Sequence, residues 1–223
     1  LIPTETYIYF ASGVIPILTY FTIKVKKSIP SHFVFAFLIL SFSIDLLNFY
    51  YHSKKENNLF LINIYDYIAI FLELCFFLSI TKFRKAFTFL TSVVLIICWT
   101  VHFIFNLNNG FHIYSTSLSF SISLIVCIYS VIVTVIVIGE DTPKFNKYKH
   151  QFIAIFGFFL FEALCLIPVS TLNLDLNTAD RKHLAALFND IILIAGFCRN
   201  ILFTLYFIAE NRKRTYYNDF KTT

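Results

Sequence analysis

Acidic and basic side chains are few in this sequence, and several of them lie inside runs of apolar residues. The stretch LFLINIYDYIAIFLELCFFLSI, residues 59–80, is long and apolar enough to cross a bilayer, yet it carries Asn63, Asp66 and Glu73. At about 100° per residue these three share one helix face with Tyr67 and Ile70. A carboxylate in hydrocarbon is costly and faces the protein interior, a partner charge or trapped water. Other apolar runs hold Asp45 with Asn48, Glu162, and Asn189 with Asp190, Arg199 and Asn200. Such groups can pair with one another, bind a cation or a basic ligand, or pass a proton.

Counting inward from the expected outer boundary separates two layers. Asp45, Asp66, Glu162 and Asp190 come out at a common depth of roughly 10 Å, on four different helices, with His102 shallower and His112 and His183 near the boundary. Glu73 and Arg199 come out deeper, at roughly 21 and 24 Å. Arg199 cannot meet Asp190, because nine residues place them on opposite faces of one helix. It needs an acceptor from another helix, and Glu73 matches it in depth, so the pair is expected to form a structural ion pair. Four carboxylates at one level without a cation cannot all stay charged and unpartnered. They are protonated in part, or hydrogen-bonded to Asn48, Tyr65, Tyr67 and Asn189, or gathered round a ligand. The candidate ligand or cation cavity is therefore Asp45, Asn48, Asp66, Glu162, Asn189 and Asp190, open to the outside.

The elements that must position these groups are seven apolar segments, at residues 6–23, 32–51, 59–80, 86–105, 111–138, 151–169 and 183–210. Pro16 is a kink in the first. The fifth is longer than a bilayer core requires and is expected to tilt or protrude. Its Ser115, Ser119 and Ser123 recur every four residues, the spacing of small residues that lets helices approach closely. Lys and Arg gather beside one side, at residues 24–27, 82–85, 144–149 and 212–221, against only Lys54, Lys55, Arg181 and Lys182 on the other. This asymmetry alternates across every crossing and predicts the N-terminus outside and the C-terminus in the cytoplasm. The cations of the first segment follow its apolar core, the reverse of a secretory signal. One all-α transmembrane domain, residues 1–223, is the expected fold.

Composition agrees: 58% of residues are hydrophobic and only 14% charged, with 29 Phe and 13 Tyr, a balance unlike that of a soluble domain. The net charge of +5 arises from cations flanking apolar segments, so nucleic acid is not an expected partner. Cys75, Cys98, Cys127, Cys165 and Cys198 lie in different apolar runs without a CxxC, which suits small buried hydrophobes rather than a disulfide or zinc site. Nucleotide-binding loops and the GxSxG of hydrolases are absent, and no cofactor is expected.

A seven-crossing retinal protein needs a lysine in its last helix, where this chain has only Arg199. The seven-helix zinc hydrolases need a last-helix HxxxH, where this chain has His183 alone. The stretches NNLFLINIYDYIAIFLE, YSTSLSFSISLIVCIYSVI and NDIILIAGFCRNILFTLYF resemble an uncharacterised family of seven-helix bacterial membrane proteins of about this length. The resemblance implies a multi-pass protein of the bacterial inner membrane that partners sensor kinases, and it brings no catalytic residues. The resulting expectation is a non-enzymatic protein of the lipid bilayer, a sensor-like module or a subunit of a larger membrane complex. A small cation- or proton-coupled transporter is the alternative, and an intramembrane hydrolase a third.

Overall fold

The computed structural model describes residues 4–23, 27–54, 56–82, 84–110, 116–139, 150–171 and 178–219. Among them it shows seven α-helices and no strand: α1 (Thr4–Thr22), α2 (Ile29–Ser53), α3 (Leu59–Ile80), α4 (Lys85–Asn109), α5 (Thr116–Ile138), α6 (Gln151–Thr171) and α7 (Thr178–Asp219). Six of the helices are long and apolar enough to cross a membrane, while the apolar part of α1, Tyr7–Thr22, is shorter. The chain is a multi-pass helical membrane bundle.

The observed α3 has the bounds expected of it. Several helices run further than the sequence predicts, α2 (29–53 against 32–51), α4 and α7 among them. α4 continues through Asn106 to Asn109, because Gly110, at φ 85°, is the first residue suited to leave the helix, and its N–H closes on the Asn106 carbonyl at 2.8 Å. α7 passes the expected end at 210 and reaches Asp219, since neither Gly nor Pro interrupts residues 211–219. At 42 residues, it measures roughly 63 Å, about twice a bilayer core. Residues 111–115, expected to open the fifth segment, lie outside the described residues, and α5 is described from Thr116.

Helix contacts close a ring, α1–α2–α3–α5–α6–α7 and back to α1. α3 also reaches α6 across it, and α4 docks on the outside of α3. α3 thus touches α2, α4, α5 and α6, the central place that its polar face demands. The middle of the ring is aromatic. Phe158 of α6 packs with ring centroids 5.0 Å from Phe37 and Phe76, 6.1 Å from Phe77 and 4.9 Å from Phe203. All five rings are fully buried. Gly157 lets α7 come this close: a Cβ there would sit 2.9 Å from the Phe203 ring.

Candidate functional site: a buried carboxyl and arginine layer

One turn from the aromatic plug, the same helices turn polar. On α3, α6 and α7 the buried Glu73, Glu162 and Arg199 lie three or four residues from Phe76 and Phe77, Phe158, and Phe203 respectively, and so share their helix faces. The polar groups form two clusters.

The first joins α1, α2 and α7. The Tyr9 hydroxyl donates to Asp45 at 2.8 Å. Tyr9 lies directly on Gly196, where a Cβ would meet the ring at 2.6 Å, so this glycine is what allows α1 to bring its hydroxyl to Asp45. Asn200 donates to Ser12 at 3.1 Å, and Ser12 donates to the Tyr9 carbonyl at 2.7 Å. Arg199 donates from Nη2 to Ser41 at 3.0 Å. Its guanidinium lies 4.1 Å from the Phe161 ring centroid and 5.1 Å from that of Phe37, within cation–π range of both. Tyr9, Ser41, Asp45, Arg199 and Asn200 line a cavity of ≈ 10 Å³, room for about one water.

The second joins α3, α5 and α6. Ser119 donates to Asp66 at 2.7 Å, and Ser123 donates to Glu162 at 2.5 Å. Glu73 and Glu162 are both buried and lie within electrostatic reach of each other. Tyr65 lies in electrostatic reach of Arg199, Glu73, Glu162 and Asp45, and so stands between the two clusters.

The structure therefore gathers Asp45, Asp66, Glu73, Glu162 and Arg199 within electrostatic reach of one another in the bundle, Glu73, Glu162 and Arg199 buried and Asp45 and Asp66 half-buried. Glu73 and Arg199 are both fully buried and within electrostatic reach, but they do not close on each other. Arg199 keeps Nε and Nη1 without a partner, and Glu73 keeps Oε1 so. No direct ion pair between them is recorded among the described residues, and Arg199 donates to Ser41 of α2 instead.

Asn189 and Asp190 are exposed and stay outside the layer. With Arg199 turned inward, a residue nine positions earlier on the same helix must turn outward. Asn48 is half-buried, with Oδ1 unpartnered. The space recorded at Asp45 holds about one water. His112, Ser115 and the side chain of His183 lie outside the described residues.

Sequence reasoning read Ser119 and Ser123 as packing residues. Each instead donates to a carboxyl on a facing helix. Tyr9 was missed, and so was Glu210 at the far end of the bundle. The Glu210 carboxylate is buried and accepts the Ser28 N–H at 3.0 Å as well as the Ser31 hydroxyl, while Ser31 and the Tyr206 hydroxyl lie 3.1 Å apart. It thus caps the N-terminus of α2, where a negative charge is favoured, and ties that end to α7. No protein-family model matches the chain, and no curated protein or solved structure matches it.

Proposed function

We propose that this is a non-enzymatic membrane protein whose working part is the buried carboxyl layer, a proton-binding site that couples to movement of the bundle, as in a small proton- or cation-coupled transporter. One observation carries the reading: two buried carboxyls, Glu73 and Glu162, lie within electrostatic reach of each other in the bundle core and of a third, Asp66, with Arg199 as the nearby buried cation. A site of this kind exchanges a proton for a cation when the helices around it part, because separated carboxylates regain charge. The aromatic plug around Phe158 supplies a barrier on one side of it, as hydrophobic constrictions do in gated pores. The asymmetry of Lys and Arg supports an N-terminus outside and a C-terminus in the cytoplasm. That orientation puts the carboxyl layer nearer the outside and the plug nearer the cytoplasm. The resemblance to bacterial multi-pass proteins supports placement in a bacterial inner membrane.

A second reading, a sensor-like module or subunit of a membrane complex, has its own support. α7 runs as a helix beyond its apolar part, Leu187–Arg212, to Asp219, and carries Arg212, Lys213 and Arg214 there. A basic helical arm suits contact with a protein partner or with anionic headgroups.

The test is proton uptake in liposomes containing the purified protein and a trapped pH dye, under a cation gradient. Glu73→Gln and Glu162→Gln should each lower cation-dependent proton movement at least tenfold while leaving the protein folded. Equal rates in the wild type and both variants would remove the coupling role and leave the sensor or subunit reading.

A further inference from the structure

A second set of buried polar groups lies in the seam between α3 and α4, away from Glu73 and Glu162. Tyr67 of α3 stacks on His102 of α4, with ring centroids 4.1 Å apart and planes 7° from parallel. One turn along α4 is Asn106. His102 is 2% exposed and Asn106 1%. Both amide atoms of Asn106, the Nε2 of His102 and the Tyr67 hydroxyl have no hydrogen-bond partner. The Tyr67 hydroxyl and the Asn106 amide face each other without closing a well-formed bond. Buried polar atoms are almost always satisfied, and several left open at one point mark a place where a molecule belongs. These groups are neutral hydrogen-bonders, with donors and acceptors among them. The matching ligand is neutral and both donates and accepts, which is the chemistry of a hydroxyl.

The approach is from the bilayer. Tyr67 also lines, with Ile68, Phe71, Trp99, Thr100 and Phe103, an apolar groove of about 600 Å³ on the flank of the same seam. The Trp99 indole donates to the Tyr67 carbonyl at 3.1 Å, which fixes one wall of the groove to the residue that separates it from the polar atoms. A turn of the Tyr67 ring would join the two spaces. α4 is the helix best able to yield: 11% of its apolar window is buried, against 39% for α3, and it packs mainly on α3.

The geometry points to a binding site for a hydroxyl-bearing amphipath. Its apolar body lies in the groove, and its hydroxyl reaches the Tyr67 hydroxyl, His102 Nε2 and the Asn106 amide. The site is independent of the carboxyl layer. A hydroxyl there could also come from an internal water, with the groove holding ordinary lipid chains.

Trp99 is the single tryptophan of the chain and lines the groove, so its fluorescence reads occupancy directly. The protein in lipid nanodiscs is titrated with 1-decanol and, separately, with decane, each compared at equal mole fraction in the lipid. Decanol should shift the Trp99 emission saturably, with a midpoint about tenfold lower than decane, the size expected of a few buried hydrogen bonds. Tyr67→Phe keeps the ring and its stacking, and Asn106→Leu removes the amide. Both should bring the decanol midpoint up to that of decane and leave the decane response unchanged. Where Asn106→Leu fails to fold, Tyr67→Phe decides alone. Equal midpoints in the wild type would mean that water alone fills the polar space. A decanol preference that survives both substitutions would place the hydroxyl elsewhere. Either result overturns the site, as does the absence of a saturable change.

Discussion

Two layers of this bundle are built by the same helices, one turn apart, and obey opposite rules. In the aromatic layer, Phe37, Phe76, Phe77, Phe158 and Phe203 fill space completely and leave no polar atom to satisfy. In the polar layer, Glu73, Glu162 and Arg199 sit on the same faces of α3, α6 and α7, and several of their atoms are left without a partner. Dense packing gives a layer with one arrangement. A layer of incompletely satisfied charges has others close in energy, because each open atom gains from a new partner. The contrast assigns rigidity to the plug and change to the carboxyls, and each variant below weakens one layer alone.

The largest effect belongs to Phe158, which the other four rings surround. Phe158→Ala should destabilise the protein by about 4 kcal/mol, the range for emptying a buried aromatic site. Thermal unfolding in mild detergent measures this. On the proposed function, in which the plug is a barrier beside the carboxyls, the same variant should raise passive proton leak through liposomes. A large loss of stability without added leak would keep the plug as packing and take away its role as a barrier.

In the polar layer the effects divide unequally. Arg199→Leu leaves Asp45 and the neighbouring carboxyls without their cation and should cost about 3 kcal/mol, as breaking buried charge compensation does. Glu73→Gln should cost less than about 1 kcal/mol, because the amide keeps the shape of the side chain and removes a charge from the buried site. The double variant tests whether Arg199 and Glu73 act on each other across the gap. Coupling should be present, since the two lie within electrostatic reach. Additive losses in the cycle would mean that Arg199 answers to Asp45 and Ser41 alone.

What the sequence discloses follows from what lies on one helix. The face of α3 that joins Asn63, Asp66 and Glu73 is local, and so are its bounds at 59 and 80. The opposition of Asp190 and Arg199 is local too. Carried one step further it would have removed Asp190 from the cavity, since an inward arginine in the bundle forces the residue nine earlier to face out. The charge-to-aromatic offset of three or four residues, present on α3, α6 and α7, is equally readable once α6 is known to face α7. Partner choice is not local. That Arg199 takes Ser41, that Glu162 takes Ser123, and that Tyr9 reaches Asp45 over Gly196 depend on which helices adjoin and how closely. Depth alone paired Glu73 with Arg199, and depth does not say which neighbour is nearer. Ser119 and Ser123 show the same limit, for a small residue at four-residue spacing fits packing and hydrogen bonding equally well until the facing helix is known.

That ambiguity gives the smallest and most selective test. Ser123 and Ser130 lie on the same helix and are both buried, but they use their hydroxyls differently. Ser123 donates across to Glu162 at 2.5 Å, in the polar layer. Ser130 donates back to the Val126 carbonyl of its own helix at 2.9 Å, a carbonyl already engaged in the helix ladder. Both substitutions to alanine remove one oxygen and little volume, so packing predicts equal effects. Hydrogen bonding predicts a difference: Ser123→Ala should cost about 1 kcal/mol, because it leaves a buried carboxyl oxygen without its donor, and Ser130→Ala close to nothing. On the proposed function Ser123→Ala should also alter cation-dependent proton movement, since it removes the hydroxyl that donates to Glu162. Equal stability losses with unchanged proton movement would make both serines packing residues and would weaken the contrast between the two layers at its most exposed point.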